Sequence, residues 1–260
     1  MTEQPSAAML ETALEIPLLS GAVFPDWSVV TSDNVRASLN ATLGVLRMAK
    51  KWPGMGADEE RVRVAVLTHY AEAARAPEHG RLSEITGFER DKIVRLLRKL
   101  EERDLVILDK SDKTVIGAYP FTEGTTGHRI RLNDKTLNAM CAIDALGAGA
   151  MVGVDALIDS ACRHCGQSIH VETRDKGRGI ESVSPENAVV WSGVQDIDGC
   201  AADTQCTVMT FFCSDEHLNA WRRNNPAGAE GYQLTMNEGL QAGMAIFLPF
   251  LARSHQQSER

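Results

Sequence analysis

The first 140 residues of this 260-residue chain contain no cysteine. All six lie further on, at 141, 162, 165, 200, 206 and 213. Thiol or soft-metal chemistry is therefore confined to the second part of the sequence. No apolar run is long enough to span a bilayer. The opening "MTEQPSAAMLETALEIPLLSG" lacks the basic start and small-residue cleavage site of a secretory signal, so the expected compartment is the cytoplasm and no membrane partner is expected. In a reducing cytosol an even cysteine count does not announce disulfides; metal binding or thiol catalysis is the better expectation. Internal repeats and low-complexity tracts are lacking too. Positive charge is in deficit, with 27 Lys and Arg against 35 Asp and Glu and a net charge of −8, which argues against a dedicated nucleic-acid binder.

What is present reads as two kinds of structure. Residues 1–30 look like an irregular or weakly helical lead-in. "DNVRASLNATLGVLRMAKKW" has the pattern of one amphipathic helix stopped by Pro53 and Gly54. "DEERVRVAVLTHYAEAARA" predicts a second helix with an acidic first turn. Ser83–Thr86, a turn at Gly87, a helix over Glu89–Arg103 and a hairpin from "LVILD" to "TVIGAYPF" follow in the order of a winged helix. The longer helix carries Arg90, Lys92, Arg95, Arg98 and Lys99. Interleaved Glu89, Asp91, Glu101 and Glu102 make it a solvated face as readily as a DNA reader.

Beyond residue 125 the pattern changes. "GHRIRLND", "SIHVET", "GIESVS", "NAVVWSG" and "CTVMTFFC" read as strands, and "DKTLNAMCAIDALGAGAMV" as a helix. Ser214 is placed to cap "DEHLNAWRR", and "YQLTMNEGLQAGMAIFLPFLA" closes as a mostly helical segment. The expected fold class is α+β: a winged-helix-like helical domain, then a mixed, mainly antiparallel sheet with flanking helices. The expected divisions are 1–55, an extension and helix; 56–124, the winged-helix-like domain; and 125–260, a cysteine-rich catalytic domain.

Cys141 and Asp144, on one helix, would share a face at i and i+3. Two readings stand. One is a small buried hydrophobe next to a structural carboxylate. The other is a nucleophile beside a carboxylic acid that apolar surroundings keep protonated. If Cys206 starts a strand, alternation turns Cys206 and Cys213 to opposite faces, so at most one of them meets Cys141. Cys213 would precede a helix N-terminus, which lowers a thiol pKa. Cys162 and Cys165 form C-x-x-C, half of a structural zinc site. The other half would be a second close Cys/His pair, for which Cys200 and Cys206 are loosely spaced.

The order of these motifs resembles the organomercurial (alkylmercury) lyases, the MerB family, over residues 60–250. "AMCAIDAL" is similar to the family's helix bearing Cys and Asp. "CTVMTFF" is similar to its strand with a Cys ahead of Phe-Phe, here Cys206 ahead of Phe211 and Phe212. "ACRHCGQSIHV" and "AEGYQLTMNEGLQAG" match its intervening turn and closing segment. Adjacent cysteines found in some members are replaced here by Cys206 and Thr207; Cys165, Cys200 and Cys213 are additional thiols. The resemblance implies an enzyme that cleaves carbon–mercury bonds. Cys141 would be the first thiol to capture the substrate and Cys206 the second. Asp144 would carry the proton to carbon and serve as a weak third ligand to the Hg(II) product. Cys162 and Cys165 would be secondary thiols. No organic cofactor is implied; a structural zinc is an open expectation. The implied partners are an organomercurial substrate and cellular thiols or a mercuric reductase that takes the Hg(II).

Two other readings remain open on the residues alone. One is a metal-responsive transcription regulator whose winged helix binds DNA while the thiols sense a soft ion. The other is a lyase-like protein for another organometal, such as an organotin compound. Asp144 beside Cys141 favours the enzyme, because a thiolate sensor has no use for a proton donor.

Overall fold

The computed structural model describes residues 14–252; the part of the expected lead-in over 1–13 lies outside the described residues. Two short strands, β1 (Ile16–Pro17) and β2 (Val23–Phe24), pair with each other and precede five helices. These are α1 (Asp33–Val45), α2 (Met48–Lys51), α3 (Ala57–Ala73), α4 (His79–Thr86) and α5 (Arg90–Glu102). The strands β3 (Val106–Leu108), β4 (Val115–Ala118), β5 (Phe121–Thr122), β6 (Arg129–Leu132) and β7 (Lys135–Ala139) lead into α6 (Ala142–Val152). Then come β8 (Ala156–Ala161), β9 (Ser168–Arg174), β10 (Gly179–Ser184), β11 (Val189–Gly193) and β12 (Met209–Phe212). The chain closes with α7 (Asp215–Asn224), β13 (Gly231–Leu234) and α8 (Met236–Phe247). The class is α+β: a helical N-terminal region followed by a sheet region with helices. Every strand pairing among the described residues is antiparallel, so the sheet is not mixed as expected.

Local chemistry accounts for most boundaries. Ser32 caps α1, accepting from the Val35 N–H. α4 ends on Gly87, whose φ of +71° is the left-handed conformation a helix C-terminus favours. α5 buries Ile93, Leu96, Leu97 and Leu100 on one stripe. Thr235 and Glu238 form a reciprocal capping box on α8. The large sheet runs β10-β9-β8-β6-β7-β5-β4-β3. Its inner face follows period two, with Ile130, Ile158 and Val171 in register across three neighbouring strands and all buried. Through the Phe121–Ala139 pairing it is continuous across position 124/125. A second sheet, β12-β11-β13, is buried along the whole of β11 and β12.

Four expected elements differ. The helix expected over "DNVRASLNATLGVLRMAKKW" breaks after Val45, where Arg47 takes φ +56°, and resumes only as α2. The stretch expected as one helix from Asp134 begins instead as β7; Lys135–Ala139 pairs with β6, and sheet pairing overrides the helical spacing. Gln205–Val208 is a 3-10 turn, so Cys206 is not a strand residue and strand alternation does not set the direction of its thiol. Gly231–Leu234 is a strand of the small sheet rather than part of the last helix. Ala156–Ala161 also forms a strand, β8, where none was expected.

At the centre lies α6, buried from Ala142 to Met151. It packs against α8 with backbone on backbone. A Cβ on Gly147 would lie 2.6 Å from the Gly243 carbonyl oxygen and 2.5 Å from a Phe247 ring carbon. Gly147→Ala should therefore destabilise the fold by about 1–3 kcal/mol or more through overpacking, outweighing the ~1 kcal/mol that alanine gains over glycine in a helix. Gly44→Ala in α1, where a Cβ meets nothing within 4 Å, should be neutral or stabilising. Urea unfolding of the two variants checks the contrast.

Candidate active site

Cys141 stands one residue beyond β7, after Met140, and occupies the N-cap of α6, with φ −148° and ψ −179°. Its sulfur accepts a hydrogen bond from the Asp144 backbone N–H at 3.4 Å. The expected i, i+3 pairing on one helix face is thus replaced by a cap. Cys141 stands outside the helix and Asp144 in its first turn, and the cap brings sulfur and carboxyl residue together. From the far side, the 3-10 turn carries Cys206, whose thiol points at Asp144 Oδ2 at 3.7 Å. The two sulfurs and a carboxylate oxygen all lie within 4.8 Å of one another. Met209, at the start of β12, sets its thioether 4.0 Å from the Cys141 sulfur.

Cys141 and Asp144 are buried, at 1% and 5% exposure, whereas Cys206 is partly exposed. Together they border a small cavity of about 70 Å³, walled mainly by apolar side chains, among them Leu43, Met48, Trp52, Ile143 and Phe247. That is far below the several hundred Å³ of a pocket for a drug-sized ligand. Phe24, Trp52 and Phe250 stack against one another beside it, with ring centroids 4.3–6.0 Å apart.

Burial is the leading influence on the ionisation of Asp144 and Cys141 and the second on that of Cys206. It pushes the Asp144 carboxyl up to about 7, against hydrogen bonds from Cys141 and Cys206 that pull it down. It also raises the Cys141 thiol, outweighing the amide donor at the head of α6. Cys206 is raised well above the ordinary thiol range, first by its hydrogen bond with Cys141 and then by desolvation. The resting site is therefore close to neutral, and its thiols ionise when a cation replaces their protons.

Several supporting residues carried no recognisable sequence signal. The Asp104 carboxylate, 4% exposed, accepts from the Tyr119 hydroxyl at 2.9 Å and from the Ala201 N–H, and pairs with Lys51 at 3.0 Å. Tyr119 in turn accepts from the Ala202 N–H. Gln205 hydrogen-bonds the backbone of Gly193 and Gln195. These contacts hold the loop that delivers Cys206. The other cysteines lie apart from this site. Cys200 donates to Asp203 at 3.3 Å and joins neither thiol cluster. Cys162 and Cys165 gather with Cys213 and His217. His217 was missed in the sequence, although Cys213-x-x-x-His217 has the spacing of the absent half-site. The Cys213 thiol is not lowered by the helix it precedes; burial and the neighbouring thiols push it up to about 12.

The family model of MerB, alkylmercury lyase, matches residues 121–248, a span that holds both cysteine clusters. An alkylmercury lyase of Staphylococcus epidermidis is 30% identical over 141 residues, 54% of this chain and 62% of that relative. One from Bacillus cereus is 27% identical over 143 residues, 55% of this chain and 62% of the relative. The chain thus spans about three fifths of the length of the curated relatives it matches. The crystal structure of the mercury-bound form of MerB2 superposes with a TM-score of 0.67 at 22% identity, covering 80% of this chain and 98% of the other. It has the same fold. No helix among the described residues is long and apolar enough to cross a membrane.

The raised Asp144 pKa has a stability signature. Between its unfolded value of 3.8 and its folded value of about 7, the folded state holds a proton that the unfolded state has lost. Stability from this group is complete below about pH 4 and declines by roughly 1.4 kcal/mol per pH unit until about pH 7. The stability of the wild type minus that of Asp144→Asn should fall across that window and then level off. Chemical denaturation at a series of pH values measures it; a flat difference would place an ordinary carboxylate at this position.

Proposed function

The chain belongs to the MerB alkylmercury lyase family through residues 121–248, and on that premise we propose that it cleaves carbon–mercury bonds by protonolysis at Cys141, Asp144 and Cys206. The observation that carries this reading is the meeting of two thiols and a carboxyl group, all within 4.8 Å, at an apolar cavity. Mercury is a soft ion that prefers thiolate ligands. Two sulfurs donate electron density to it while an acid protonates the carbon it leaves.

Exposure favours Cys206 as the entry thiol, the reverse of the order expected from the sequence, because Cys141 is sealed from solvent. An organomercurial held by a cellular thiol exchanges onto Cys206, and the released thiol carries away the proton. Asp144, which carries a proton in the resting site, delivers it to carbon, and the electron pair of the breaking carbon–mercury bond forms the new C–H bond. Cys141 bonds to mercury as a thiolate while its own proton passes to Asp144 and restores the acid. Cys206–S–Hg–R plus Cys141–SH gives R–H plus Cys206–S–Hg–S–Cys141. Small thiols or a reductase would remove the ion. The small cavity favours short organic groups. Residues 56–124 serve in this reading as a winged-helix-like scaffold. Two of the basic side chains of α5 are already engaged, Lys92 with Asp58 and Lys99 with Glu59.

Methylmercury incubated with the protein and excess thiol should release methane. Cys141→Ser and Cys206→Ser should each abolish turnover while leaving the circular dichroism unchanged. Asp144→Ala should still bind Hg(II) but slow methane release by about 10²–10⁴-fold, the usual worth of a positioned general acid. Full activity in that variant would remove Asp144 from the mechanism. Tight Hg(II) binding without hydrocarbon release, accompanied by a metal-dependent DNA shift, would refute the enzyme reading.

A further inference from the structure

Outside the candidate active site, Cys162, Cys165, Cys213 and His217 bring three sulfurs and an imidazole nitrogen within 4.8 Å of one another. The Cys165 and Cys213 sulfurs are 3.7 Å apart. His217 Nδ1 lies 2.9 Å from the Cys213 sulfur and 3.9 Å from that of Cys162. A tetrahedral zinc ion with ordinary Zn–S and Zn–N bonds requires S···S edges of about 3.8 Å and S···N edges of about 3.6 Å. The Cys165–Cys213 separation is close to the first value, and the two sulfur–nitrogen separations fall on either side of the second.

The backbone on both sides is shaped for such a site. Cys162 to Gly166 forms a tight knuckle after β8. The Gly166 N–H donates to the Cys162 carbonyl at 2.9 Å, and Gly166 takes a φ of +76°. The Gln167 N–H donates to the Cys165 sulfur at 3.5 Å, as an amide does toward a thiolate ligand. The other half comes from the β12–α7 junction: Cys213 directly follows the strand, and His217 lies in a first turn capped by Ser214. The Arg163 N–H also binds the Phe211 carbonyl at 3.0 Å, tying the knuckle to β12. Three thiols and one imidazole make a closed four-ligand set, the pattern of structural rather than catalytic zinc.

We propose that Cys162, Cys165, Cys213 and His217 form a tetrahedral Zn(II) site that clamps the knuckle between β8 and β9 to the β12–α7 junction. Binding displaces three thiol protons and leaves the neutral imidazole as the fourth donor. The clamp fixes the far end of β12, whose near end places Met209 against Cys141. This inference does not depend on the lyase reading. A soft ion such as Hg(II) would compete for the same thiolates, so the test is made without mercury.

Full-length chain purified without chelator should contain about one zinc per chain by elemental analysis. Cys162→Ser with Cys213→Ser should reduce this to near none and lower Tm. Cys141→Ser with Cys206→Ser should keep the zinc. Co(II) put in its place should show the intense visible absorption of a tetrahedral ion together with thiolate charge transfer. His217→Cys should retain the ion with a four-thiolate spectrum, which decides the matter on folded protein if the serine variants do not fold. Three outcomes overturn the proposal: a zinc-free chain that takes up no tetrahedral Co(II), a Cys165–Cys213 disulfide in a thiol count, or zinc that leaves with Cys141 and Cys206 instead.

Discussion

Backbone contact between Gly147 and Gly243 lets α6 and α8 meet with no side chain between them. Much of the candidate site depends on this close crossing. It sinks α6 into the core from Ala142 to Met151, and with it the turn that carries Asp144 and the cap formed by Cys141. A larger residue at either glycine would push the helices apart and admit water to the carboxyl group. Dispersion and apolar burial thus set the electrostatics of the site, because they remove the solvent that would otherwise hold Asp144 ionised.

Burial, joined at Cys206 by its hydrogen bond with Cys141, makes both thiols and the Asp144 carboxyl weaker acids, so the resting protein holds these protons more tightly than free side chains would. A thiophilic cation changes that balance by supplying the positive charge the cavity lacks. The head of α6 contributes in the same sense, since an amide donor already points at the Cys141 sulfur. Neutral groups waiting for a soft ion suit protonolysis better than ion storage: the proton that the thiol loses is held by a carboxyl group beside it.

Sequence patterning carried far where one element explains itself. The buried stripe of α5, the Gly87 terminus, the Ser214 cap and the alternating strand β9 all follow from local periodicity and capping chemistry. It misled where two periodicities overlap. Leu137, Met140, Ile143 and Leu146 have helical spacing, yet the first two precede a helix that starts only at Ala142, because Lys135–Ala139 is claimed by β6. The apolar run at Cys206 read as strand throughout, but its first residues turn in a 3-10 segment. In both places the cysteine sits at the junction rather than inside the element, where propensity is weakest and tertiary contacts decide.

The sequence by itself determined the chemical repertoire: soft ligands confined to one part of the chain, a carboxyl residue three positions from a cysteine, and a C-x-x-C awaiting two partners. It also carried the order of motifs that marks the family. Only the tertiary structure decided which ligands meet. Cys206 reaches Asp144 across 62 positions of sequence, and Cys165 reaches Cys213 across 48. Such encounters depend on strand order, on the crossing of α6 and α8, and on the buried Asp104–Tyr119 contacts that fold a loop back over the cavity. Local spacing sets which face a side chain takes within its own element. Proximity between distant elements is set by how their apolar faces are buried together.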